Sequence, residues 1–220
     1  MANREKFAIG EYYHIYNRGV DKRETIKNPT DAKRFFQSLK FFNSKEPVKS
    51  LRQVISDKNS TNRKVSDALV EIVCYALNPN HFHFLLKEIN DGGISEFMKR
   101  IGGGYTWYFN NKYKRSGSLF QGTFKSVRIE SNEQLLHLSV YINLNWKVHK
   151  ISGLTAGVEK SSWDEYMGKT NTRICSKEII LDQFKSDRDY KNFAESSLRE
   201  ILKTKEDKRS LEMIIGKYFY

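Results

Sequence analysis

Apolar and polar positions along the chain fall into short blocks of distinct period. From Phe7 to Arg18 aromatic and β-branched residues dominate, with Tyr12-Tyr13-His14-Ile15-Tyr16-Asn17-Arg18 at the centre, and Gly19 stops the run. That composition predicts a strand. Thr30 or Asp31 can cap a following helix to about Asn43, with Phe35, Phe36, Leu39 and Phe42 as its apolar stripe. Residues 44–68 are polar, contain Pro47 and keep no firm period, so they read as a long insertion with a short helix near Val48–Val54. From Val73 to Leu86 the chain turns strongly apolar on both sides of Asn78-Pro79-Asn80, which is turn chemistry, and a hairpin is predicted over about 69–88.

Asp91-Gly92-Gly93 then breaks the chain ahead of a helix from Ile94 towards Tyr113, which Gly102-Gly103-Gly104 should interrupt. Three glycines cost about 1 kcal/mol each in a helix interior, so close approach of another backbone or a ligand accounts for them better than propensity does. Ser116-Gly117-Ser118 leads into a strand from about Leu119 to Ile129, and Ser131 or Asn132 caps a helix reaching about Trp146. The order βαββαβ followed by a helix predicts an α+β fold: a ferredoxin-like (split βαβ) antiparallel sheet with helices on one face, plus a helical C-terminal extension. The organisation expected is a main unit over residues 1–168, with the polar insertion at 44–68, and a charged helical extension over 169–220.

Charge changes the picture more than size does. The 220 residues are 39% hydrophobic and 13% aromatic, enough for a core, and carry a net charge of +12. Such a surplus points to a polyanion, with nucleic acid ahead of an anionic membrane surface. No stretch approaches the length of a bilayer span, and Met1 to Lys6 leads into no signal-like apolar run, so no membrane association is expected. Cys74 and Cys175 are too few and too far apart for a disulfide scaffold or a zinc ribbon, which makes a reducing, cytoplasmic setting the expectation.

Two constellations carry chemistry. In His81-Phe82-His83 strand alternation puts both imidazoles on one face, about 7 Å apart, where they can grip one divalent metal; two half-buried polar residues on a strand are the plainer reading. On the last helix Tyr141 and Asn145 are four apart on one face, with His137 a turn earlier and His149 a turn later, while Leu135, Leu138 and Ile142 anchor the helix. A tyrosine packed with its hydroxyl satisfied would look the same. Taken together, two imidazoles and the Asn145 oxygen make a three-ligand site with open positions, and Tyr141 supplies a nucleophile towards a phosphodiester.

Between them the charge is one-sided. From Phe97 to Ile129 there is no Asp or Glu, whereas Lys99, Arg100, Lys112, Lys114, Arg115, Lys125 and Arg128 occur among Tyr105, Trp107, Tyr108, Phe109, Tyr113, Phe120 and Phe124. Cations neutralise phosphates and exposed aromatics stack unpaired bases, so Arg18, Lys99, Arg100, Tyr105, Lys112, Lys114, Arg115, Lys125 and Arg128 are the expected nucleic-acid contacts, which the resemblance below makes DNA contacts.

These residues carry a resemblance. Tyr75-Ala76-Leu77-Asn78-Pro79-Asn80-His81-Phe82-His83-Phe84-Leu85 resembles the HUH segment of single-tyrosine transposases. Tyr13 to Gly19, Phe109-Asn110, Ser116-Gly117, Leu119 to Gly122, Phe124-Lys125-Ser126 and Tyr141-Ile142-Asn143-Leu144-Asn145 are similar to the ordered blocks of the REP-associated tyrosine branch of that family. The resemblance spans about residues 7–168. It implies cleavage and rejoining of single-stranded, hairpin-bearing DNA with Mg²⁺ or Mn²⁺, through a tyrosine joined to the 5′ phosphate. His81, His83 and Asn145 would be ligands and Tyr141 the nucleophile, in a monomer or a homodimer. Trp146 stands where the family usually has proline. Two other classes remain: a ferredoxin-like module that binds structured single-stranded DNA or RNA without cutting it, and a zinc hydrolase built on His81, His83 and a further histidine.

Overall fold

A computed structural model describes residues 6–46, 68–149 and 160–206. The helix expected near Val48–Val54 lies outside the described residues. The elements are β1 (Tyr12–Arg18), a 3-10 turn (Val20–Lys22), α1 (Pro29–Phe42), β2 (Val70–Leu77), β3 (His81–Glu88), α2 (Gly93–Lys112), β4 (Lys125–Arg128), α3 (Asn132–Asn143), α4 (Asn145–Val148), β5 (Lys160–Ser161), α5 (Trp163–Tyr166), α6 (Glu178–Leu181) and α7 (Asp187–Glu206). The sheet runs β4-β1-β3-β2-β5 and every pairing is antiparallel. Its first four strands, connected βαββαβ, form the split βαβ, ferredoxin-like arrangement.

Helices cover both faces of the sheet, not one. On the first, Phe35 and Leu39 of α1 and Phe97, Ile101 and Tyr105 of α2 pack on Ile15, Phe82 and Phe84. On the second, Leu138, Tyr141 and Ile142 of α3, with Tyr166, Ile180 and Tyr190 from the later helices, pack on Val73, Cys74 and Leu85. The sequence of β2 and β3 already requires this. Their apolar runs are nearly continuous, and six consecutive residues of β2 (Ile72–Leu77) are buried, as in a strand sandwiched between two layers. Residues 178–206 thus close the second face, and among the described residues no helix is long and apolar enough to cross a membrane.

Several boundaries moved for local reasons. Asn28, not Thr30 or Asp31, caps α1: its side chain accepts from the Asp31 N–H at 3.0 Å, and Pro29 follows at the first helical position. Helix α2 continues through Gly102-Gly103-Gly104 without interruption. Only Gly104 meets a close neighbour, since a Cβ there would lie 2.7 Å from the Phe42 ring of α1, whereas the other two face open space. The last strand shrinks to Lys125–Arg128, with Phe120 making one isolated bridge to Gly19 and Gly122 turning the chain at a φ of 63°. Helix α3 ends at Asn143, and Leu144 separates it from the short α4 that begins at Asn145.

Candidate active site on the second face

Strand alternation and register assemble the site. Arg18 lies opposite His81, Tyr16 opposite His83, and Lys125 opposite Tyr16, so these side chains share the face that α3 covers. The Asn78-Pro79-Asn80 turn, closed by Asn78 N–H donating to the His81 carbonyl at 2.9 Å, sets His81 at the start of β3. The rings of His81 and His83 stand edge to face, 5.1 Å apart. Tyr141 comes down from α3 with its ring edge-on to His83 at 5.5 Å. All four residues singled out for chemistry therefore meet at one place.

Hydrogen bonds constrain which nitrogens carry the protons. Asn80 donates through Nδ2 to the Lys22 carbonyl at 3.1 Å, which turns its Oδ1 towards His81 Nδ1 at 2.6 Å. His81 Nδ1 must then carry the proton, and Nε2 offers a lone pair. That lone pair and Asn145 Oδ1 both point at one donor, Asn78 Nδ2, at 3.0 and 2.6 Å. Two acceptors converging on a single electropositive group are what a hard or borderline cation requires. His83 Nδ1 lies 3.0 Å from His14 Nε2. His149 brings its ring to 4.9 Å from that of His81. Among the described residues no group of three His, Cys, Asp or Glu side chains is arranged for a metal; the donor set here is two imidazoles and a carboxamide. The chemistry of that set, two imidazole nitrogens and a carboxamide oxygen, fits a divalent cation with open positions.

The electrostatics favour neutral groups. Burial takes His14 down to about 3. His83 lies well below the ordinary imidazole value, first through burial and then through His81, His14, His149 and Arg18 around it. Burial pushes the Tyr141 phenol up to about 12; the adjacent Asn145 carboxamide works against that rise and Tyr16 adds to it. Burial also raises Tyr16. A neutral imidazole is the form that binds metal, and a buried phenol needs a nearby cation to ionise.

The nine expected DNA contacts separate into groups. Arg18 and Lys125 are exposed on the face that carries His81 and His83. Arg128 alternates to the other face and pairs with Glu11 at 3.2 Å. Lys99, Arg100, Tyr105 and Lys112 lie on α2, across the sheet from Tyr141. Lys99 is exposed beside Glu96, while Arg100 holds Glu96 and the carbonyls of Ser44 and Glu46. Lys112 pairs with the buried Asp31 at 2.5 Å. Lys114 is exposed and Arg115 reaches Asn110 and the Ser118 carbonyl. Tyr105 must be corrected: it is fully buried, packs edge-on against Phe35 at 4.7 Å and donates to the Thr25 carbonyl at 2.7 Å, so its ring is not offered to a base. Conversely, His14, Asn78 and Asn80 belong to the site although no spacing marked them. His14 reaches it only through strand pairing, 69 residues from His83.

Comparison with known proteins follows the same outline. A family model described as "Transposase IS200 like" matches residues 11–145, from the residue before β1 to Asn145. Among solved structures the chain is similar to one described as "Structure of the REP associates tyrosine transposase bound to a REP hairpin", at 16% identity and a TM-score of 0.46, over 79% of this chain and 89% of that one. No curated protein matches.

Proposed function

The chain belongs to the IS200-like transposase family, and from that membership we propose that it nicks and rejoins hairpin-bearing single-stranded DNA through a covalent 5′-phosphotyrosine at Tyr141. The observation that carries the reading is the meeting of Tyr141, His81, His83 and Asn145 on one face, with the Tyr141 ring 5.5 Å from that of His83. His81, His83 and Asn145 would hold Mg²⁺ or Mn²⁺. When bound, the ion supplies Lewis-acid polarisation of the scissile phosphate.

The protein's own groups account for the rest. Arg18 and Lys125 flank the imidazoles on the exposed side and neutralise the backbone on either side of the scissile phosphate. The Tyr141 oxygen forms a bond to phosphorus, the bond to the 3′ oxygen breaks, and the phenolic proton is lost as the departing 3′ oxygen gains one. Attack by a 3′ hydroxyl on the phosphotyrosine reverses these steps and rejoins a strand. Asn145, beside both the phenol and the ligand cluster, ties the position of the nucleophile to that of the phosphate.

The test uses end-labelled hairpin DNA with Mn²⁺ on denaturing gels. Wild-type protein retains label, EDTA abolishes it, and Tyr141→Phe binds the hairpin without forming the adduct. Tight binding with no wild-type adduct across varied hairpins would instead make the protein a non-cutting DNA module.

A further inference from the structure

His14 contacts His83 directly, and the reaction above leaves that contact unused. It lies in β1 beside His83 of β3, and both imidazoles are buried, at 3% and 4% exposure. Their ring centroids lie 5.2 Å apart with 18° between planes, so the rings meet edge to edge, and His14 Nε2 lies 3.0 Å from His83 Nδ1. Two neutral imidazole nitrogens at that separation share one proton. If His14 donates it, His83 must keep its own proton on Nε2 and has no lone pair for the site. If His83 donates it, Nε2 is bare. We propose that His14 is a positioning residue that accepts the Nδ1 proton of His83 and thereby holds His83 in the one tautomer and ring orientation able to ligate the catalytic cation.

The inference rests on reading His83 as a metal ligand. It parallels the fixed neighbour, where the Asn80 carboxamide, anchored on the Lys22 carbonyl, performs the same service for His81 Nδ1. Each imidazole of the pair then has its own acceptor, an amide oxygen for His81 and an imidazole for His83. Metal-bound histidines commonly depend on such partners, whose loss costs about 10–100-fold in metal affinity. The Tyr16 ring packs against both imidazoles, 4.9 Å from that of His14 and 5.9 Å from that of His83, and limits how far the pair can rotate.

Mn²⁺ affinity of the full chain, measured by titration calorimetry without DNA, tests this. His14→Phe keeps the shape of the ring but cannot accept a proton, and should bind Mn²⁺ about 10–100-fold more weakly. His14→Gln restores an acceptor and should return close to wild type, and both variants should bind hairpin DNA normally in EDTA. Wild-type affinity in His14→Phe would overturn the inference, as would equal weakness of the Gln and Phe variants, which would make His14 a ligand itself or a packing residue. Absence of Mn²⁺ binding in wild type, or full binding in His83→Ala, would overturn the metal reading and this inference with it. If His14→Phe fails to fold, ¹⁵N NMR of the wild-type imidazoles decides: a proton on His83 Nδ1 is expected, and one on Nε2 refutes the assignment.

Discussion

Burial sets the charge of the histidines before any cation arrives. Holding His14 neutral means that protonation favours the unfolded chain, whose imidazoles titrate near 6.5, over the folded one, where His14 titrates near 3. Between those values the unfolded state binds more protons, so stability falls as pH is lowered through that window and levels off below it. Each unit within it costs about 1.4 kcal/mol for such a group. Urea midpoints of metal-free protein between pH 7 and 4 should therefore drop steeply, and His14→Gln should make the slope shallower; an unchanged slope would remove His14 from the linkage. Cations divide in the same residue-by-residue way. On the proposed function, Lys125→Ala should weaken hairpin binding and lower the salt slope by about 1, because it would remove one phosphate contact on the face that carries His81 and His83. Lys112→Ala should leave binding intact but cost about 1–3 kcal/mol of stability, because it strips a charged hydrogen bond from buried Asp31. Filter binding and thermal melting of the two variants separate these outcomes. The contrast also shows what the sequence can disclose at this scale. His81 and His83 are two apart on one strand, so local geometry alone puts them on one face. Tyr141 and Asn145 are four apart, but α3 ends between them at Asn143, so the spacing found the pair while the break at Leu144 sets where Asn145 stands. His14, Asn78 and Asn80 reach the site across a strand or through a turn that already explained their presence. Lys112 and Tyr105 looked like nucleic-acid contacts because a basic or aromatic residue carries no mark of the buried carboxylate or ring it packs against.

At the level of elements, α2 shows why propensity misleads. Its three glycines suggested a broken helix, yet the helix is held from both ends. The buried Glu88 carboxylate accepts from the Gly93 and Ile94 N–H groups at 3.1 and 2.7 Å, and Tyr105 and Phe109 anchor its later turns in the core. Close approach is the reason for one glycine only. At Gly104 an added methyl would meet the Phe42 ring at 2.7 and 2.9 Å, while at Gly103 it would meet nothing. Gly103→Ala should stabilise the protein by about 0.5–1 kcal/mol through helix propensity alone. Gly104→Ala gains the same propensity but overpacks the α1–α2 contact, for a net loss of about 1 kcal/mol. The two melting temperatures should move in opposite directions, and parallel shifts would mean that α1 and α2 do not meet as described. Strand limits were legible only roughly, since Gly10, Gly117 and Gly122, all at positive φ, shorten β1 and β4 without disturbing the apolar pattern around them.

Across the whole molecule, the second face joins the C-terminal helices to Tyr141, the proposed nucleophile. Periodicity disclosed the βαββαβ order and the helix carrying Tyr141, but not that residues 178–206 complete that layer, because an amphipathic helix does not state what it covers. Tyr190 of α7 is fully buried between the rings of Trp163, Tyr166 and Phe184. Its hydroxyl accepts from Asn143 Nδ2 at 3.0 Å and lies 3.1 Å from Ser139 Oγ, both on α3. Asn143 Oδ1 in turn accepts from Ser162 Oγ at 2.5 Å, and Ser162 Oγ accepts from the Tyr75 N–H of β2 at 3.0 Å. This chain of bonds clamps the last turn of α3, two residues from Tyr141 and two from Asn145, onto the sheet. Tyr190→Phe keeps the ring packing but leaves Asn143 Nδ2 buried without its acceptor, at a cost of about 1–3 kcal/mol. If the clamp serves only the fold, the variant melts lower yet forms the Tyr141 adduct at the wild-type rate at temperatures where it is fully folded. If the clamp also fixes the register of the nucleophile over His81 and His83, adduct formation slows at those same temperatures while hairpin affinity is unchanged. The short path from Tyr190 through Asn143 to the site makes the slower rate the expected result, because a small misplacement of the attacking oxygen costs far more in rate than in binding.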